Sequence, residues 1–177
     1  MIVVIHAHPY PSRSRACAAL LGAIRDIPAI EVRSLYELYP DYDIDVAAEQ
    51  AALARARLAV WLHPVYWYAP PALMKHWFDA VFADGWSHGK GAALRGKDCL
   101  WVTTLGDAER YRVDVGRGFE PFTPVVEQIA RFNAMNWLDP LVLEGAHALD
   151  DAALHAHARR LRERLDAWSA AQRARHA

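Results

Sequence analysis

The chain has 177 residues, of which 54% are hydrophobic and 23% charged, and its formal net charge is −1. This length suits one domain with a single core, and the composition excludes a disordered chain. The balanced charge excludes the basic surface on which a nucleic-acid-binding protein depends. The sequence shows neither a signal-peptide pattern nor a membrane-spanning apolar stretch, so we expect a cytoplasmic protein.

Short apolar runs alternate with helical patterns along the chain, which is typical of parallel strands joined by crossover helices. The apolar runs predict strands at Met1–Ala7, Glu31–Leu35, Leu58–Leu62, Cys99–Thr104 and Leu138–Leu143. Helices are predicted at Arg15–Ile27, Asp45–Arg57, Pro70–Phe82, Pro121–Phe132 and from the cap Asp150 to about Trp168. This order predicts one α/β domain over residues 1–177, a doubly wound five-stranded parallel sheet with helices on both faces.

The fifth predicted strand contains a proline, and the two cysteines lie in elements that are predicted to be buried. Asp139–Pro140 lies inside that strand, and a proline belongs at the start of a strand or at the sheet edge because it cannot donate a ladder hydrogen bond. Cys17 and Cys99 lie in a helix and a strand that are both predicted to be buried. We therefore expect two reduced thiols rather than a disulfide.

Ligands of doubly wound sheets bind beyond the carboxyl ends of the strands, so the loops after the first, third and fourth strands are candidate sites. The first of these loops contains His8 and leads into a helix through Ser12–Arg15. A helix amino end with unpaired N–H groups, beside hydroxyls and a histidine, is suited to holding a phosphate. The alternative is that Ser12 or Ser14 only caps the helix and that the arginines are surface charges.

The loop after the third strand contains three consecutive aromatic residues, Tyr66, Trp67 and Tyr68, between Pro64 and Pro70. A flat aromatic cofactor needs a rigid backbone edge and aromatic walls, and such a loop supplies both. The alternative is an aromatic core patch. Three consecutive side chains cannot all face the core, so we expect some of them to line a cleft or an interface.

The fourth strand ends in Thr103–Thr104, and the chain continues through Gly106 to Tyr111. Hydroxyls and a glycine at a strand end can contact the edge of a ring, and a tyrosine can donate a proton or a hydrogen bond. Each of these residues is also ordinary in a loop, so this segment alone does not define a site.

A metal site and a serine hydrolase are alternative site types. His6 and His8 project to the same side of a strand, but no third ligand is evident, and His155 and His157 diverge on a helix. The string Gly85–Gly89 matches G-x-S-x-G, yet a nucleophile elbow requires a strand before it and a helix after it. We predict neither a metal nor hydrolase activity.

Several motifs occur together along most of the chain: His6–Pro9, Ser34–Tyr36, Tyr39–Asp41, Ala47–Gln50, His63–Val81, Gly85–Trp86, Leu94–Lys97 and Thr103–Thr104. With these motifs the chain resembles the NAD(P)H:quinone oxidoreductases of the flavodoxin-like superfamily. It is especially similar to the ancillary subunits of glutathione-gated Kef potassium-efflux systems. The resemblance implies a flavodoxin-like fold and a bound FMN, with FAD as the alternative.

The resemblance also implies roles for residues in the candidate loops. His8, Ser14, Arg15, Ala16 and Cys17 would hold the flavin phosphate, Val65, Tyr66, Trp67 and Tyr68 would border the isoalloxazine ring, and Thr103, Thr104, Leu105 and Gly106 would contact its other edge. Tyr111 lies where the family has a tyrosine near the reactive edge of the flavin, and Arg117 lies where it has a proton-transferring histidine. Leu105 and Cys17 depart from the glycine and asparagine that are common in the family.

By the same resemblance, the expected activity is a two-electron hydride transfer from NAD(P)H through the flavin to a quinone. A second subunit would complete the site, so a homodimer is expected. The rival interpretation is a regulatory flavin-binding subunit that docks on a potassium-efflux transporter at the inner face of the cell membrane. The enzyme and the regulatory subunit are compatible functions of one protein.

Overall fold

The computed structural model describes residues 1–107 and 123–175. Its strands are β1 (Ile2–His6), β2 (Ile30–Ser34), β3 (Leu58–Pro64), β4 (Asp98–Thr104) and β5 (Asn136–Leu143). Its helices are α1 (Arg15–Gly22), α2 (Leu35–Leu38), α3 (Val46–Arg55), α4 (Ala72–Val81), α5 (Thr123–Phe132) and α6 (Asp151–Ala174). The alternation of strands and helices agrees with the predicted α/β architecture.

The strands form one parallel sheet in the order β2-β1-β3-β4-β5. In the central pair, Ile2 lies opposite Leu58 and His6 opposite Leu62. The chain passes from β1 to β2 on one side and returns to β3 on the other, so the strand order reverses between β1 and β3. This arrangement confirms the doubly wound sheet and brings the loops after β1 and β3 side by side.

Alternate strand residues pack on opposite faces of the sheet. Val3 belongs to the core that contains Trp61 and, from α4, Trp77. Val4 belongs to the other core, together with Leu161 from α6. Because both faces of the buried strands need apolar cover, helices lie on both sides, as predicted.

Three predicted boundaries are wrong: the last helix was predicted to end at about Trp168 but continues to Ala174, and the other two differ for local reasons. The first helix was predicted to reach Ile27, but α1 ends at Gly22 and turns follow, including a hydrogen bond from the Ile27 N–H to the Ile24 carbonyl. Leu35 was predicted as the last residue of a strand, but it begins the short α2 and is fully buried there. Both segments are apolar, so hydrophobicity alone did not distinguish a turn or a short helix from a longer element.

Helix caps follow the sequence closely. Asp45 accepts a hydrogen bond from the Ala48 N–H at 2.9 Å, and Asp150 accepts one from the Ala153 N–H at 2.8 Å. Ser14 caps α1 by accepting from the Cys17 N–H at 3.1 Å. These side chains satisfy amide groups that a helix leaves without internal partners at its first turn.

The proline in β5 is accommodated by the position of that strand at the sheet edge. Leu138 pairs with Leu100 and Leu141 pairs with Val102, so β5 contains one more residue than β4 over this stretch. The extra residue beside Pro140 forms an irregularity of the β-bulge type. The expectation of an edge position for a proline-containing strand is confirmed.

A fully buried carboxylate, Glu49 on α3, connects three elements. It accepts hydrogen bonds from Arg33 Nε at 2.6 Å, from the Tyr39 hydroxyl at 2.6 Å and from Trp77 Nε1 at 2.9 Å. Burial and the adjacent Glu49 carboxylate raise the pKa of Tyr39 to about 12. A buried charge is tolerated when it is paired and hydrogen-bonded, so this network fixes α3 and α4 against β2.

Both cysteines are free and buried, as expected. Burial raises the pKa of the Cys17 thiol to about 11 and raises that of Cys99 as well, which keeps both thiols protonated.

Within residues 1–107 and 123–175, no helix combines the length and apolar character that crossing a membrane requires.

Candidate cofactor site

A cavity of about 410 Å³ opens beyond the carboxyl ends of β1, β3 and β4. Its volume is in the range of small-molecule and cofactor pockets. Eight residues predicted from the sequence line it: His8, Ser14, Arg15, Ala16, Val65, Tyr66, Thr104 and Gly106. The structure therefore brings together parts of all three loops that were predicted to form the site.

One end of the cavity is the amino end of α1. Ser14 caps the helix, and Arg15 and Ala16 form its first turn, where backbone N–H groups lack helical acceptors. The Arg15 guanidinium forms an ion pair with Asp151 at 2.6 Å, and both side chains are exposed. Serine capping and a phosphate cradle are therefore compatible here, because the cap serves only the Cys17 N–H.

His8 presents a hydrogen-bond donor to this cavity. Its Nδ1 accepts from the Tyr10 N–H at 3.0 Å, which assigns the proton of the neutral ring to Nε2. Nε2 lies 3.4 Å from the Tyr66 hydroxyl, and the two rings meet edge-on with centroids 5.9 Å apart. Burial lowers the pKa of His8, so the neutral, Nε2-protonated ring is the dominant form at neutral pH.

The loop after β3 contains a tight turn in a strained conformation. Tyr66 and Ala69 exchange backbone hydrogen bonds of 2.9 and 3.1 Å around Trp67 and Tyr68. The φ angles of Trp67 and Tyr68 are 50° and 65°, a left-handed conformation that is unfavourable for large side chains. Trp67 is 93% exposed, although a tryptophan normally buries most of its surface. Strain of this kind concentrates at ligand sites.

His63, which immediately precedes this loop, joins the ends of β3 and β4. The ring is buried; Nδ1 donates to the Pro64 carbonyl at 2.9 Å and Nε2 accepts from Trp101 Nε1 at 3.0 Å. The Thr103 hydroxyl donates to the His63 carbonyl at 2.8 Å. Burial lowers the pKa of His63 to about 4. His63 had no predicted role beyond its place in the resemblance, but its hydrogen bonds hold two candidate cofactor loops together.

A further wall of the cavity comes from the loop after β5, which was not predicted to belong to the site. Ala146 and His147 line the cavity, and a Cβ added to Gly106 would lie 2.4 Å from His147 Nε2. Glycine at position 106 therefore allows the imidazole to pack directly on the backbone. This loop also lies beyond the carboxyl end of a parallel strand, where ligands of such sheets bind. Tyr10, Arg13 and Pro64 are the other lining residues that were missed.

The remaining predicted residues lie beside the cavity or outside the described part of the chain. Cys17 and Thr103 are buried, Leu105 packs in the core and donates its N–H to the Leu143 carbonyl at 2.9 Å, and Trp67 and Tyr68 are exposed. Tyr111 and Arg117, the predicted catalytic residues, lie outside the described residues.

The two alternative site types can be compared with the same structure. Among the described residues, no group of three metal-binding side chains is present. His6 lies 3.2 Å from the Ser34 hydroxyl through Nδ1, and burial lowers its pKa to about 4. Ser87 contacts His88 Nδ1 at 2.8 Å, but it is fully buried in the loop between α4 and β4. This context lacks the strand and helix that flank a nucleophile elbow.

A family model described as "Flavodoxin-like fold" matches residues 1–165. The chain is 45% identical over 173 residues to the glutathione-regulated potassium-efflux system ancillary protein KefF of Citrobacter koseri, covering 97% of this chain and 98% of that protein. General stress protein 14 of Treponema denticola, solved in complex with FMN, has a TM-score of 0.85 at 33% identity, covering 94% of this chain and 98% of that one. An NADPH-quinone reductase from P. pentosaceus has a TM-score of 0.82 at 25% identity, covering 92% and 96%.

Proposed function

Because the chain belongs to the family with the flavodoxin-like fold, we propose that it is an FMN-dependent NAD(P)H:quinone oxidoreductase. One observation carries this proposal: loops following β1, β3 and β4 converge on a single cavity that ends at the amino terminus of α1. The similarity to an FMN complex and to an NADPH-quinone reductase supports the same assignment. FAD is the alternative flavin.

The residues present fit a flavin phosphate. The first-turn amides of α1, beside the Ser14 hydroxyl and Arg15, form an electropositive end of the cavity. His8 adds a donor through Nε2 at the same cavity. Cys17 contributes its position in the first turn rather than its thiol, which burial keeps protonated. In this proposal His8 and residues 14–17 hold the phosphate.

The other two loops fit the edges of a flat ring. Val65–Tyr68 provides a backbone edge and aromatic side chains, and Thr103–Gly106 provides an opposing edge beside His147. Leu105 points into the core, so the residue that replaces the family's common glycine does not narrow the cavity wall. His63 fixes the spacing of the two loops through its bonds to Pro64 and Trp101.

FMN, when bound, supplies the two-electron chemistry, accepting a hydride from NAD(P)H and passing it to a quinone. The protein would orient the ring between residues 65–68 and 103–106 and exclude water from one of its faces. Donors at this wall would stabilise negative charge on the reduced cofactor. In the proposal, Tyr111 and Arg117 assist proton transfer from the segment outside the described residues.

Exposed aromatic side chains at the site support a homodimer. Trp67 is 93% exposed and Tyr68 is 51% exposed, next to the cavity. In the proposed assembly a second subunit covers them and completes the quinone site. The similarity to an ancillary protein of a potassium-efflux system supports a second function, in which the flavoprotein docks on such a transporter at the inner face of the membrane and activates it.

A steady-state assay tests the enzymatic proposal. Protein loaded with FMN should oxidise NADPH or NADH beyond one equivalent per flavin only when a soluble quinone is present, at a steady-state rate proportional to bound flavin. Fully loaded protein without quinone-dependent turnover would contradict the enzyme assignment. Transporter activation that persists in a variant unable to bind flavin would then assign the chain to regulation alone.

A further inference from the structure

A second concavity, lined by basic residues, lies at the amino ends of the strands, opposite the candidate cofactor site. Two adjoining cavities of about 360 and 450 Å³ share Arg57 and Gln172 in their walls. They lie at the amino ends of the strands, since Arg57 directly precedes β3 and Lys97 directly precedes β4. We call this surface the basic groove, defined by its cationic residues Arg57, Arg95, Lys97, Arg173 and Arg175.

Negative charge does not balance these cations. Among the described residues that line the two cavities, Asp98 is the only carboxylate. Its oxygens are already engaged: Oδ2 accepts from Trp168 Nε1 at 2.7 Å and Oδ1 accepts from Asn136 Nδ2 at 3.0 Å. Although the net charge of the chain is −1, positive charge is therefore concentrated in the basic groove.

Among the described residues, Arg57, Arg95 and Arg175 bring guanidinium groups to the groove. Lys97 Nζ donates to the Ala54 and Ala56 carbonyls at 2.9 and 2.6 Å, so it serves the end of α3. In the described part of the chain, Arg15 and Arg33 have carboxylate partners, whereas Arg57, Arg95 and Arg175 have none within ion-pair distance.

Backbone donors of the groove are also occupied. The Gly96 N–H donates to the Ala134 carbonyl at 2.9 Å, and the Asp98 N–H donates to the Arg57 carbonyl at 2.9 Å. Recognition of a ligand here therefore depends on guanidinium groups. Guanidinium groups match phosphate oxygens with paired, charge-assisted hydrogen bonds.

We propose that the basic groove is an anion site for a phosphate-bearing ligand, separate from the flavin site. The same phosphate chemistry occurs in a soluble phosphorylated molecule and in the headgroup of an anionic lipid. Because the groove lies at the amino ends of the strands and the flavin cavity at their carboxyl ends, both sites can be occupied at once. A phosphate ligand at the groove would not displace the flavin.

The test uses FMN-loaded protein, so that the amino end of α1 is already occupied. Inorganic pyrophosphate is titrated by calorimetry, and co-sedimentation is measured with phosphatidylglycerol vesicles against phosphatidylcholine vesicles. The groove variant is the double substitution Arg57→Ala and Arg95→Ala. The matched control, Arg159→Ala with Arg160→Ala, removes the same charge from exposed positions of α6 outside the groove.

We expect one of the two probes to bind and the groove variant to weaken that binding at least about tenfold, while the control variant binds like the wild type. Binding of pyrophosphate assigns a soluble ligand, and binding of phosphatidylglycerol vesicles alone assigns a lipid headgroup. Failure of both probes, or equal weakening in the two variants, overturns the proposal. Flavin absorbance, recorded for every sample, shows separately whether the flavin site is intact.

Discussion

Acidification is expected to destabilise the fold through buried histidines, and His63 is the clearest case. The ring is fully buried and uses both nitrogens, donating through Nδ1 to Pro64 and accepting through Nε2 from the Trp101 N–H. A proton on Nε2 would face that N–H group and would carry a charge without solvent. Burial therefore lowers the pKa of His63 from 6.5 to about 4.

The direction of the effect follows from the difference between the folded and unfolded chains. Between pH 6.5 and about 4 the unfolded chain binds a proton at His63 that the folded chain excludes. The free energy of unfolding is therefore at its full value above pH 6.5 and decreases as the pH falls through this window. The pKa difference corresponds to about 3 kcal/mol. His6, whose pKa is also lowered to about 4, acts in the same window.

Urea denaturation measured across this pH window tests the assignment. The variant His63→Gln should show a clearly shallower loss of stability with falling pH than the wild type, because the contribution of His63 is gone while those of His6, His8 and His157, whose pKa values burial also lowers, remain. His155→Gln, at an exposed position of α6, is the control and should follow the wild type. If His63→Gln and the wild type lose stability in parallel, the neutral buried state of His63 is refuted.

Three further substitutions test other parts of the structure. Gly106→Ala should weaken FMN binding at least about tenfold in a fluorescence titration, because its Cβ would displace His147. The control Gly22→Ala, whose Cβ would meet open space, should bind FMN normally, and its urea unfolding free energy should rise by about 0.5–1 kcal/mol. Glu49→Ala should lower the urea unfolding free energy by about 3–5 kcal/mol, because it leaves a guanidinium without its buried partner; a loss below 1 kcal/mol would contradict the network. Ser14→Ala should lower the urea unfolding free energy by about 1 kcal/mol, and an unchanged unfolding free energy would contradict the capping role of Ser14.

Most of the fold could be predicted from apolar periodicity because parallel strands are buried on both faces and appear as continuous apolar runs. Leu58–Leu62 is one such run, and the structure extends it only to Pro64. The same signal failed at Leu35 and Ile27, where an apolar residue belongs to a short helix or a turn. There, local hydrogen bonds decide the conformation, and apolar character does not encode them.

The site was predictable in its loops and less so in its details. Ser14 and Tyr66 follow strands whose carboxyl ends meet, so topology placed them together. His147 was missed because the prediction confined the site to the loops after β1, β3 and β4, whereas His147 follows β5 at the edge of the sheet. Three consecutive aromatic residues do not predict the left-handed backbone conformation of Trp67. The sequence predicts that some of these side chains line a cleft or an interface, but only the three-dimensional structure shows that Trp67, beside the cavity, is the most exposed of them.

The central claim is that loops at the carboxyl edge of the sheet form a flavin site, and a titration of flavin-free protein with FMN tests it most directly. We expect saturable quenching of FMN fluorescence with one flavin per chain at about micromolar concentrations, and a yellow complex whose released chromophore has the mass of FMN. A protein that remains colourless and takes up neither FMN nor FAD under these conditions would contradict the claim.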